Sequence, residues 1–119
     1  MPEIHGTLFL DGKNLAGNFQ LNPIKTFVFD GSIGTAIIKE SIHTPAVLIY
    51  ENENQLRGVH KFQAVFGHTQ VTVTIDDGVK FSGKINKPFG PIITAHGEGR
   101  WATYHPAAQT TLTVQESDN

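Results

Sequence analysis

The chain has 119 residues, enough for one domain that buries about two thirds of its unfolded surface without covalent staples. It contains no cysteine, which excludes a disulfide framework, a thiolate zinc site and a cysteine nucleophile. Nine Lys and Arg against eleven Asp and Glu give a net charge of −2, and no basic cluster extends beyond Lys80, Lys84 and Lys87, so nucleic acid is not an expected partner.

The opening segment MPEIHGTLFLDG has neither a basic leader nor an apolar run of signal length, and no apolar segment approaches the roughly 20 residues of a membrane span. A soluble, cytoplasmic protein is the expectation, with non-classical secretion left open. Charged residues make up 17% of the chain, below the roughly 25% of an average soluble domain, and Thr, Asn, Gln and His supply much of the remaining polarity. Such a surface suits contact with other surfaces, and a symmetric homo-oligomer is expected to cover sheet edges.

Alternating apolar residues predict strands over Ile4 to Leu10, Leu15 to Leu21, Ile24 to Phe29, Ile33 to Glu40 and Ala46 to Glu51. Further strands are predicted over Gln55 to Phe66, Ile92 to Tyr104 and Thr110 to Gln115. The clearest hairpin is VTVTIDDGVKFSGKI, where Val71, Val73 and Ile75 alternate with threonines and Val79, Phe81 and Ile85 alternate with polar residues. A short helix around Gly34 to Ser41 is the local alternative, because TAIIKES is less committed to a strand. The pairs Asp11-Gly12, Asp30-Gly31 and Asp77-Gly78 read as strand reversals, since such pairs take the positive φ of tight turns. Prolines read as breaks between strands, with NKPFGP the strongest loop signal, and the Asp-Gly spacing supports no internal repeat.

These elements predict a single all-β domain over residues 1–119, an antiparallel β-sandwich or flattened β-barrel of about eight to ten short strands. Its core should include Leu8, Leu10, Phe19, Phe62, Phe66, Val71, Val73, Ile75, Val79 and Phe81.

The segment GEGRWATYHPA, with His96 before it, is the leading candidate for a site. Period-two alternation places His96, Glu98, Arg100, Ala102 and Tyr104 on one face and Gly97, Gly99, Trp101, Thr103 and His105 on the other. A carboxylate, an imidazole, a guanidinium and a phenol in one ladder could hold a polar ligand or move protons if sheltered from water; otherwise they form a solvated face. Trp101 reads more readily as a core ring covering strand glycines than as a platform for a sugar with His105 at its edge.

His60 falls on the apolar face of its strand, where burial should depress its pKa. No HxH or HExxH pairing exists, so no metal site is expected, with His60, His68 and His96 the least unfavourable set. No Walker loop, dinucleotide fingerprint or nucleophile elbow is present, and no cofactor is expected.

The reading is a binding or interaction module for a carbohydrate or other polar small molecule, with His96, Glu98, Arg100, Tyr104, Trp101 and His105 as candidate site residues. The alternatives are a small barrel isomerase or cyclase using His96 and Glu98 as acid and base, and a structural subunit of an oligomer.

Overall fold

In the computed structural model, which describes residues 2–34, 38–85 and 92–104, the alternating segments pair into eight antiparallel strands. They are β1 (Glu3–Gly12), β2 (Asn14–Asn22), β3 (Lys25–Ile33), β4 (Ile38–Ile49), β5 (Gly58–Phe66), β6 (Gln70–Ile75), β7 (Lys80–Lys84) and β8 (Ile93–Tyr104). The strands close into a barrel in the order β1-β2-β3-β8-β5-β6-β7-β4, so of the two predicted architectures the barrel is the one formed.

The closure has a simple logic. β1, β2 and β3 form one meander and β5, β6 and β7 a second, and each is followed by a long strand that returns to lie beside the first strand of its own meander. Each half is therefore a Greek key. The same long strand also pairs with the last strand of the opposite meander, β4 with β7 and β8 with β3, which seals the cylinder. The two halves repeat in topology although the Asp-Gly spacing does not repeat in sequence.

Every residue placed in the core from the sequence is buried, joined by Leu15, Phe29, Leu48 and Trp101. Inward side chains fill the cylinder, with Phe29 at the centre of an aromatic cluster whose ring centroids lie 5.6 Å from Phe62, 5.8 Å from Phe81 and 5.0 Å from Trp101. An eight-stranded barrel is just wide enough for its own side chains, which is how this interior is occupied.

Several local features differ from the sequence pattern. Asp30-Gly31 is not a reversal: Gly31 lies within β3, opposite Leu15 of β2 and Gly99 of β8. A Cβ at Gly31 would stand 2.8 Å from the Phe62 ring, so the glycine makes room for a side chain from a distant strand. The other two pairs do turn the chain, with Gly12 at φ 62° and Gly78 at φ 95°.

Pro45 does not separate two strands but lies inside β4, opposite Thr7 of β1. The β4–β7 ladder begins one residue later, at Ala46 opposite Gly83, so the missing N–H of Pro45 falls where that ladder ends. The Thr44 hydroxyl donates to the Lys84 carbonyl at 2.6 Å and satisfies the group that continued register would set against the proline. The predicted strands Ile33 to Glu40 and Ala46 to Glu51 are thus replaced by the end of β3 and a continuous β4. Strand pairing of residues 38–42 with β1 also replaces the helix alternative there. The segments NKPFGP and Thr110 to Gln115 lie outside the described residues.

Candidate functional site

In β8 the predicted alternation holds. Ala95, Gly99 and Trp101 are buried, whereas His96, Glu98, Arg100 and Tyr104 are exposed on the outer wall. Trp101 is 4% exposed and packs on Phe29, so its ring belongs to the core, and its Nε1–H has no hydrogen-bond partner among the described residues. His105 lies outside the described residues.

The outer ladder does not converge. His96 and Tyr104 stand eight residues apart on one strand, about 26 Å at the rise of a β-strand. His96, Glu98 and Arg100 are divided between two shallow recesses, and Tyr104 lines neither. One, of 230 Å³, is lined by Asp30, Val59, Glu98, Gly99 and Arg100; the other, of 340 Å³, brings His96 beside Lys61, Gln63, Thr74 and Asp76. Register sets Arg100 between Asp30 and Val59, and Glu98 between Ser32 and Lys61.

A larger recess, 590 Å³, lies elsewhere, where β4 and β7 part at Pro45. Cross-strand register builds it from four strands. His5, Val47, Ser82 and Thr72 form one row across β1, β4, β7 and β6, with Thr7 opposite Pro45 and Gln70 opposite Lys84 in the next. Beneath them the inward row Gly6, Ala46 and Gly83 carries the smallest side chains, which thins the wall there. A Cβ on Gly83 would lie 2.9 Å from the Pro45 carbonyl oxygen, so glycine is what lets β7 approach β4 so closely. At the rim, Phe9 stacks on His43 with centroids 4.1 Å apart and planes 18° from parallel. Nothing in the local pattern of β1, β4 or β7 marks this groove, because its walls come from residues up to 79 positions apart.

At one barrel end a second polar cluster forms. His60 donates from Nδ1 to Asp76 Oδ1 at 2.7 Å and from Nε2 to the Arg57 carbonyl at 2.8 Å, with Asp77 Oδ2 3.9 Å from Nε2. The Lys61 amide donates to the other Asp76 oxygen, and Gln55 Nε2 donates to the Asp77 carbonyl from a short 3-10 turn capped by Asn52. Both imidazole nitrogens face acceptors, which is the arrangement of an imidazolium. Burial pulls the imidazole down, but its bonds to Asp76 and Arg57 and the nearby carboxylates outweigh this and raise it above its ordinary value. The expected depression of the His60 pKa is thereby reversed, because a barrel-end position brings acceptors that the strand pattern does not show. Asp76, accepting from His60, is held below the usual carboxylate range.

Among the described residues, His60, Asp76 and Asp77 are the group of potential metal ligands that converges, with ligand atoms within 4.8 Å of one another. His68 and His96 do not join it. The two carboxylates lie at opposite ring nitrogens of His60, Asp76 at 2.7 Å and Asp77 at 3.9 Å, so a protonated His60 pairs with Asp76 and offsets one of the two negative charges.

No family model, curated protein or solved structure matches the chain.

The His60–Asp76 pair should show in the pH dependence of stability. A raised His60 contributes fully below the ordinary imidazole value and is lost as pH rises through its folded value; a lowered Asp76 contributes above the ordinary carboxylate value and is lost on acidification. The contribution is therefore greatest between about pH 4 and pH 6.5. Because Asp76 is half exposed, about 1 kcal/mol is expected, less than for a sheltered charge-assisted bond. Urea unfolding of the wild type and His60→Gln at pH 5.5 and pH 9 should show a stability gap that narrows at the higher pH; an equal gap at both would refute the imidazolium.

Proposed function

We propose that the protein is a binding module that takes a small ligand on its outer wall, in the groove where β4 and β7 part. The observation that carries this reading is that the interior is filled by its own aromatic side chains while four strands converge around the groove. Ligand pockets are concave, with an apolar lining and a few placed polar groups, and Pro45 and Val47 beside Ser82, Gln70 and Lys84 fit that description.

The Glu98–Arg100 recess is a second candidate, favoured by Asp30 and Val59, which flank Arg100 on either side. Acid–base catalysis by His96 and Glu98 has less support, since both stand in solvent, where proton transfer gains little from position. The structural-subunit reading leans on open sheet edges; barrel closure gives every strand two neighbours, and the edge it leaves is that of β4, which meets β7 only over Ala46–Ile49.

The test is a thermal-shift screen of sugars and small metabolites, since ligand binding raises apparent stability by mass action. Hits should disappear in Val47→Trp, which fills the groove, and persist in Arg100→Ala. Loss in Arg100→Ala alone would transfer the site to the second recess. Hits that survive both variants would overturn both placements.

A further inference from the structure

We propose that the β4–β7 groove selects a small organic anion, a carboxylate or phosphate monoester carried on an apolar ring. This rests on the reading of the groove as the binding site.

The charge in the groove is of one sign. The chain as a whole has more acidic than basic residues, yet the lining of the groove contains two imidazoles, His5 and His43, and the Lys84 amine, and no carboxylate. The ion pairs among the described residues are Lys25 with Glu53 and His60 with Asp76 and Asp77; none involves Lys84, His5 or His43. Lys84 is therefore not neutralised from within the described barrel. Carboxylates on the same wall stand outside the lining: Glu3 is two residues beyond His5, and Asp11 two beyond Phe9.

The groove also mixes apolar and polar surface. Pro45 and Val47 offer apolar ground beside the Lys84 amine and the two imidazoles, and the Ser82 hydroxyl and Gln70 amide supply directional donors at its edge. The Phe9 stack holds the plane of the His43 ring at the rim, so that imidazole meets a ligand with little freedom left to lose. An ammonium and donors set against an anion form charge-assisted bonds, roughly twice as strong as neutral ones. A neutral sugar would leave the Lys84 ammonium unanswered, and a simple inorganic anion would leave the Pro45 and Val47 surface uncovered.

The experiment is a titration of the uniformly 15N-labelled chain, followed by amide chemical shifts, with phenyl phosphate and benzoate as probes and phenol and inorganic phosphate as comparisons. Phenyl phosphate and benzoate should shift the amides of Val47, Gln70, Ser82 and Lys84 together and saturably. Phenol, without the charge, and phosphate, without the ring, should each bind about tenfold or more weakly. Lys84→Glu, on an exposed side chain, should lose about tenfold or more of the phenyl phosphate affinity while leaving shifts across β2, β3 and β8 unchanged. Phenol binding as tightly as phenyl phosphate, or Lys84→Glu binding as the wild type does, would overturn the anion selectivity and leave the groove a site. Absence of groove shifts with every probe would overturn the groove as well.

Discussion

Phe81→Ala is expected to remove about 3–5 kcal/mol of stability, a large part of the roughly 5–15 kcal/mol that holds a domain together. Phe81 is 1% exposed on β7, the shortest strand, between Leu48 of β4 and Val73 of β6. Its ring lies 5.2 Å from Phe19, 5.8 Å from Phe29 and 6.4 Å from Trp101, so truncation opens a void facing aromatic rings from three other strands. Closed barrels relax poorly into such voids, because each strand is held from both sides. The midpoint and slope of urea unfolding measure the loss directly. A change below about 1 kcal/mol would mean that the β7 side chains face the other way.

Adding atoms on β8 should do comparable harm. A Cβ on Gly97 would collide with the Ser32 carbonyl and lie 2.7 Å from Phe62 Cζ, and one on Gly99 would lie 2.6 Å from Phe29 Cε2 and 3.0 Å from the Asp30 carbonyl. Rings can tilt aside, but the β3 backbone cannot retreat without breaking its ladder to β2. Gly97→Val is therefore expected to cost about 3 kcal/mol or more, the upper end of overpacking. Gly97→Ala should lie between it and the wild type. A Gly97→Val protein that melts with the wild type would show that space beside Trp101 is kept for something other than Phe29 and Phe62. The glycines flanking the tryptophan thus serve the packing of the barrel, and a ligand platform is not needed to explain them.

What the chain reveals locally and what it withholds follow from the range of the interactions concerned. Period-two alternation is a property of neighbouring residues, so the inward set of β5, β6, β7 and β8, the burial of Trp101 and the exposure of His96, Glu98, Arg100 and Tyr104 are all legible in the sequence. The turns at Gly12 and Gly78 are legible for the same reason, since a positive φ is a local demand. Asp30-Gly31 carries the same signal and means something else, because Phe62, thirty-one positions away, needs the space above Gly31. Pro45 is tolerated within β4 only because β7 ends opposite it, a fact of strand order. The proton held by His60 depends on a carboxylate sixteen residues on, brought to it by the β6–β7 turn. The groove is the extreme case: its rows join β1, β4, β6 and β7, and no segment of the chain contains enough of it to be recognised. Alternation decides which way a side chain points, and only closure of the barrel decides what it meets.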